Sequence, residues 1–159
     1  MPAAVILGAV CLCLGASASA RLRLRAACLR AWQRSLLAMH AACAYQRATC
    51  AQVLRAGASA RPELLPIARA VETTGADAAV LFARRGKDRL LRPEEEGVLR
   101  EVMSAVAGGD RSEIGAALDY ALERFGEFCR AGEKKRDADA AMYVTLGLLL
   151  GVCVFLILC

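Results

Sequence analysis

Two groups of side chains in this sequence have the residue types that metal binding or acid–base chemistry requires. His40, the single histidine, precedes Cys43 and Cys50 at spacings that can share one face of a helix. The three glutamates Glu94–Glu96 follow Pro93 at the start of another predicted helix, where carboxylates stabilise the positive end of the helix dipole. No second cluster of metal ligands completes the group of His40, Cys43 and Cys50. The position of Glu94–Glu96 at a helix start explains the three glutamates. We therefore predict no metal site, no cofactor and no catalytic residue.

The sequence also lacks the motifs that enzymes and nucleotide-binding proteins share. It contains no Walker lysine, no G-x-G-x-x-G and no evident Ser-His-acid or Cys-His pairing. The net charge of +5 is compatible with an anionic membrane surface or with nucleic acid. Basic residues are not interleaved with aromatic ones, so we predict no nucleic-acid binding. A small membrane enzyme remains an alternative, for which the sequence offers no catalytic constellation.

A run of positive charges connects two of the predicted helices. So many like charges repel one another unless counter-ions or a partner neutralise them. A solvated loop is the simplest interpretation, but we hypothesise that this segment docks on an acidic surface of a partner protein. The segment from residue 84 to residue 92, called the basic connector below, contains Arg84, Arg85, Lys87, Arg89 and Arg92.

The two ends of the chain are uncharged, since every Lys, Arg, Asp and Glu lies between Arg21 and Asp139. At about 1.5 Å per residue, a helix over residues 140–159 spans about 30 Å, the thickness of a bilayer's hydrocarbon core. Residues 1–20 are compatible with either a transmembrane helix or a secretory signal peptide, because residues 16–20 contain A-x-A cleavage patterns. The lack of a basic n-region and the arginines that begin at Arg21 favour a retained anchor.

The distribution of basic residues predicts the orientation in the membrane. Basic residues follow the N-terminal apolar stretch and precede the C-terminal one, and none lies on the outer side of either stretch. This distribution predicts a cytoplasmic domain over residues 21–139. In the second anchor, Gly147 and Gly151 form a G-x-x-x-G motif, a spacing that allows close helix packing in a bilayer. The alternative is a secreted or periplasmic helical protein, released after cleavage of residues 1–20.

Between the anchors the sequence predicts an all-α, antiparallel helical bundle, because no segment shows a convincing two-residue alternation. About five helices are expected, the first over residues 21–56 continuing the first anchor and the last starting at the N-cap Asp110 and entering the second. The helix from Asp77 to Arg85 is expected to be buried through Val80, Leu81 and Phe82. The other predicted helices cover residues 63–72 and 93–107.

The cysteines lack a C-x-x-C spacing, so we interpret them as small apolar side chains in a reducing compartment.

Several short segments give the chain a family resemblance along its whole length. They are Leu7-Gly8-Ala9-Val10, Tyr45, Gly109-Asp110-Arg111, Glu133-Lys134, and Met142 to Gly147 with Gly151 following. With these segments the chain resembles the stage III sporulation protein AB family of endospore-forming bacteria. That family is similar to the cytoplasmic bundle of inner-membrane platform proteins of type II secretion and type IV pilus systems.

The resemblance implies a non-enzymatic platform in the mother-cell membrane that faces the forespore. Its partners, by the same resemblance, are a secretion-type ATPase and other stage III sporulation membrane proteins of the channel between the two cells. Self-association into a homo-oligomer is also compatible with it.

Overall fold

The computed structural model describes residues 2–46, 48–85, 88, 90–108 and 110–158, and this part of the chain is helical with connecting turns. The predicted all-α class is thereby confirmed. Six helices are present in the described residues: α1 Pro2–Gln46, α2 Cys50–Gly57, α3 Leu64–Thr74, α4 Ala78–Arg85, α5 Pro93–Gly108 and α6 Arg111–Leu158.

The chain divides into two compact units. One unit, called the bundle below, is Cys28–Cys129, and the other consists of Met1–Ala27 together with Arg130–Cys159. In the second unit the backbone is helical over residues 2–20 and 140–158, as part of α1 and α6. Within the described residues, no helix combines the length and the apolar character needed to cross a membrane. The two transmembrane helices therefore remain a prediction.

Local signals determine most of the helix boundaries. Pro93 begins α5, as expected from its fixed φ and missing N–H. Gly75 follows α3 in the left-handed conformation, with a φ of 62°, which glycine adopts without steric cost. Asp77 accepts a 2.7 Å hydrogen bond from the Ala79 N–H at the start of α4. These starts and stops confirm the boundaries predicted from the sequence to within a few residues.

The prediction of one helix over residues 21–56 is wrong. In the structure α1 ends at Gln46, and a separate helix, α2, begins at Cys50 after the N-cap Thr49, whose N–H donates to Gln52 Oε1 at 2.9 Å. Ser35 Oγ donates to the Gly57 carbonyl at 2.9 Å. An unbroken helix would separate these two residues by about 33 Å. The chain therefore turns back on itself between α1 and α2, which brings Val53 and Leu54 into the core.

A single apolar core inside the bundle receives side chains from all six helices. Trp32 and Phe82 meet edge to face, with ring centroids 5.9 Å apart. The predicted burial of Val80 is wrong, because its side chain is 49% exposed. Ala78 and Phe82 lie one helical turn apart and face the core, which turns Val80 towards solvent. Helix α5 turns one apolar face to the core, where five of its residues are buried: Val98, Leu99, Val102, Met103 and Val106.

Within the bundle, α1 and α6 run antiparallel. Arg111 Nη2 donates to the Ala44 carbonyl at 2.7 Å, and His40 Nε2 lies 3.0 Å from Asp119 Oδ1. Lower residue numbers on α1 therefore lie beside higher residue numbers on α6. It follows that Cys28 and Cys129, the first and last residues of the bundle, lie at the same end. We call this the near end, and we call the opposite end, where α1 stops and α6 starts, the far end.

Candidate functional site

At the near end, Asp88 ties the basic connector to α1 and to the turn before α3. Its Oδ2 accepts a 3.1 Å hydrogen bond from Cys28 Sγ and a 2.6 Å charge-assisted hydrogen bond from Arg61 Nη2. The Arg61 guanidinium lies 4.5 Å from the centroid of the Trp32 ring, at cation–π distance. The Arg61 and Asp88 side chains are only 13% and 19% exposed. These four residues are called the Asp88 node below.

The contacts in the Asp88 node shift the protonation equilibria of its members. Burial raises the pKa of the Asp88 carboxyl, but the hydrogen bonds from Cys28 and Arg61 outweigh it, so this pKa is lowered. Burial alone lowers the pKa of Arg61, and the contacts with Asp88 and Glu63 reverse that effect and raise it. Burial and the hydrogen bond to Asp88 raise the pKa of the Cys28 thiol to about 11. Cys28 is therefore a neutral donor near pH 7 and a poor nucleophile.

The structure describes the basic residues of the connector only in part. The side chains of Arg84 and Arg92 are exposed. Arg85 is the last residue of α4, and its side chain lies outside the described residues, as do Lys87 and Arg89 entirely. The expectation that all five residues form one docking surface therefore stays a prediction.

The Asp88 node is not evident from the sequence because its members are far apart along the chain. The available signal was the single acidic residue within a segment of five basic ones. Asp88 also organises its own turn, since its Oδ1 accepts from the Leu90 N–H at 3.2 Å and its carbonyl accepts from the Leu91 N–H at 3.0 Å. The connector is thus held in place at its middle, by the one residue whose charge is opposite to the others.

Two of the three glutamates that follow the connector, Glu95 and Glu96, have structural contacts at the start of α5. The Arg92 N–H donates to Glu95 Oε2 at 2.7 Å, which satisfies a backbone donor at the helix start, and Glu95 is buried. Glu96 forms a 3.4 Å ion pair with Arg100, one turn further along the helix. The arrangement stabilises the start of α5 immediately after the connector.

At the far end, the residues where α6 begins stabilise both the start of α6 and the end of α1. The Asp110 N–H donates to Glu113 Oε2 at 3.3 Å, one of the two bonds of a capping box, and α6 begins directly after the predicted N-cap Asp110. The last turn of α1 contains no basic residue of its own. Arg111 supplies one by donating to the Ala44 carbonyl, which has no partner within an α-helix ending at Gln46. Gly109 lies outside the described residues.

The structure separates the residues considered for metal binding. His40 contacts Asp119, Cys43 Sγ lies 3.9 Å from the Arg111 carbonyl oxygen, and Cys50 belongs to another helix. In the part of the chain that the structure describes, no three His, Cys, Asp or Glu side chains are grouped as a metal site requires. Gly147 and Gly151 lie in the helical range of α6, but their surroundings fall outside the described side chains, so their packing stays a prediction.

Comparison with known proteins identifies one family. The profile of the family described as stage III sporulation protein AB matches residues 1–159, which is the whole chain. No curated protein and no solved structure matches the chain.

Proposed function

Because the chain belongs to the stage III sporulation protein AB family over residues 1–159, we propose that it is a membrane-anchored, non-enzymatic platform of a sporulation channel complex. The family match confirms the resemblance seen in the sequence and supports a role in sporulation. The proposed location is the mother-cell membrane facing the forespore, with residues 21–139 in the cytoplasm. The proposed partners are a secretion-type ATPase and other stage III sporulation membrane proteins.

The observation that carries this proposal is the antiparallel pairing of α1 and α6 in the bundle. The Arg111–Ala44 and His40–Asp119 contacts fix that pairing, so the chain enters and leaves the bundle at the near end. Both uncharged stretches are therefore connected to the same end of the folded domain. That connectivity suits a domain held on one side of a membrane by two anchors, the side on which basic residues accumulate.

The contacts of the polar side chains support a platform rather than an enzyme. Glu95 caps a helix, His40 contacts an aspartate on the neighbouring helix, and the Cys28 thiol is neutral near pH 7. A catalytic group needs a substrate-facing position and a pKa suited to proton transfer or nucleophilic attack. We propose that the described polar clusters stabilise the bundle and present its surfaces to partner proteins.

Cysteine labelling of the chain in vegetatively growing cells tests the topology, because the chain then has only the cell membrane to cross. Cys28 and Cys129 are buried and report poorly, so the reporter is Ser104→Cys, at an exposed position on α5. An impermeant maleimide should label this variant more strongly than the unsubstituted chain, the matched control, only after lysis. Additional labelling of the variant in intact cells would contradict the cytoplasmic placement. A mature chain that begins at Ser19 or Arg21 would favour the secreted or periplasmic alternative.

A further inference from the structure

The outer surfaces of α1 and α6 in the bundle carry exposed side chains of opposite charge. We propose that two copies of this chain associate face to face, with α1 of each copy packed against α6 of the other. This contact goes beyond the proposed function, because it gives the platform a second copy of itself as a partner. It uses only residues of the bundle, so it does not depend on the membrane anchors.

On both helices, exposed residues recur at alternating steps of three and four, which places them along one face. The α1 stripe consists of Arg30, Arg34, Leu37, Ala41 and Ala44. The α6 stripe consists of Glu113, Ala116, Tyr120, Glu123 and Glu127. The two largest apolar side chains in the stripes are about half exposed, Leu37 by 52% and Tyr120 by 47%. Each stripe therefore combines charges of one sign with apolar side chains, a composition typical of helix faces that pack against another helix.

Both stripes lie on the same surface of the bundle. His40 on α1 faces Asp119 on α6, with 3.0 Å between Nε2 and Oδ1. Successive residues of a helix lie about 100° apart, so each of these two residues has one neighbour towards the core and one away from it. The buried neighbours are Met39 and Leu118, and the exposed neighbours, Ala41 and Tyr120, belong to the stripes. The two stripes therefore run side by side on the outer face of the α1–α6 pair.

The register of this antiparallel pair puts opposite charges at matching heights along the helix axes. Arg34 lies six residues before His40, and six residues after Asp119 comes position 125, between Glu123 and Glu127. By the same counting, every residue of the α1 stripe lies within about 3 Å of the height of one α6 residue, since the positions differ by two residues throughout. The matched pairs are Arg30 with Glu127, Arg34 with Glu123, Leu37 with Tyr120, Ala41 with Ala116, and Ala44 with Glu113.

A two-fold axis parallel to the helices turns this register into a contact between two copies. Such an axis keeps every residue at its own height and places the α1 stripe of one copy opposite the α6 stripe of the other. Each matched pair then forms twice, and the near ends of both bundles lie on the same side of the dimer. Opposite charges fix the orientation of the contact, while Leu37 and Tyr120 shield each other from water. A surface with charges of only one sign would repel its own copy, so a basic stripe beside an acidic one favours a second copy of this chain as the occupant.

Sedimentation velocity of the full-length chain in a mild detergent tests the proposal. The unsubstituted chain should show a monomer–dimer equilibrium that weakens at about 1 M salt, where the Debye length falls to about 3 Å. Arg34→Glu should raise the dissociation constant of the dimer by roughly tenfold, because two attractive contacts become repulsive. Glu127 already pairs with Arg124 of its own copy at 2.9 Å, so Glu123→Arg is the reciprocal variant and should have the same effect. The double variant, Arg34→Glu with Glu123→Arg, exchanges the charges and should return the constant to within about threefold of the unsubstituted chain.

Matched controls make the same charge changes on other helices. Arg69→Glu on α3 and Glu101→Arg on α5 are at exposed positions and should leave the dissociation constant unchanged. Tyr120→Ser removes an apolar contact without changing the charge and should also weaken the dimer. Circular dichroism of each variant verifies that the bundle is folded.

Any of three results would overturn the inference: a chain that stays monomeric up to about 100 µM, a dimer that Arg34→Glu and Arg69→Glu weaken equally, or a double variant that stays weakened. None of these results bears on the membrane-anchored platform. Conversely, a chain that is absent from the membrane fraction of cells would overturn the platform and leave the contact between bundles intact.

Discussion

The two donors that hold Asp88 contribute differently to its environment. Arg61 brings a positive charge that offsets the carboxylate and lies against the Trp32 ring, so its own desolvation is partly compensated. Cys28 brings a neutral thiol, which satisfies a lone pair of the carboxylate without adding charge to a strongly basic region. A lysine in place of Cys28 would add another cation where the connector already has five.

Asp88→Asn is predicted to lower the free energy of unfolding at pH 7 by about 1–3 kcal/mol, because Arg61 keeps its buried position without its main partner. The pKa of Asp88 is lowered in the folded state, so its contribution is present above the ordinary carboxyl pKa of about 3.9. That contribution is lost as the pH falls through the folded-state pKa. The difference between wild type and variant should therefore shrink below about pH 4.

Urea unfolding of the full-length chain in detergent, followed by circular dichroism from pH 7 downward, measures this effect. Glu101→Gln, at an exposed position on α5, is the matched control and should change the unfolding free energy by less than about 0.5 kcal/mol. A difference between Asp88→Asn and wild type that stays constant down to pH 2 would refute the assigned role.

The Asp88 node could not be predicted from the sequence for a physical reason. Its members come from α1, from the turn before α3 and from the connector, and no local pattern links positions that far apart. A carboxylate within a basic run looks like a member of a solvated charge cluster until its partner is known. By contrast, the roles of Glu95 and Glu113 depend on residues three positions away, and those capping contacts were predictable.

At the scale of the helices, the close approach of α2 to α1 determines where the chain turns back. Gly57, the last residue of α2, lies against Met39 and Ser35 of α1. A Cβ atom there would come within 2.7 Å of Met39 Cγ and 2.9 Å of Ser35 Oγ. The sequence predicted one continuous helix over residues 21–56 and no reversal. The reversal depends on which helix surfaces pack together, and here tertiary packing outweighed the local helix propensity.

Gly57→Ala is predicted to destabilise the bundle by about 1–3 kcal/mol, since the added methyl group forces Met39 and Ser35 to move. Gly97→Ala is the matched control, because Gly97 lies in α5 with open space around the position of a Cβ atom. That substitution should stabilise the chain by about 0.4–1 kcal/mol through helix propensity and the entropy of the unfolded chain. Thermal unfolding of the two variants measures both effects, and equal shifts of the midpoint would contradict the assigned contact.

At the scale of the whole molecule, the chain joins a bundle with one apolar core to a unit made of its two terminal segments. The bundle could be predicted in outline from periodicity and capping. The unit of residues 1–27 and 130–159 could be predicted as two apolar stretches with basic flanks. Both units belong to the same family, because the family match covers residues 1–159.

Gly147→Leu combined with Gly151→Leu is predicted to impair assembly with membrane partners without reducing membrane insertion. Leucine partitions into lipid better than glycine, but its side chain prevents close approach of a second helix. Co-purification of the tagged chain with its membrane partners from sporulating cells measures assembly, and fractionation measures insertion. The matched control is Gly147→Ala with Gly151→Ala, which keeps the side chains small. Undiminished co-purification of the leucine variant would show that these glycines face lipid.

The shared core of the bundle also imposes an order of events during synthesis. Core side chains come from every helix. The packing around Trp32 and Leu36 on α1 is therefore complete only after Leu118 and Phe125 on α6 have been synthesised. At about 5–20 residues per second, the interval between translation of α1 and of those α6 residues is on the order of 10 s. Throughout this period the apolar face of α1 is available to chaperones or to misfolding. In the proposed membrane-anchored platform, closure of the core would compete with membrane insertion of the C-terminal stretch, which is translated immediately afterwards as the continuation of α6.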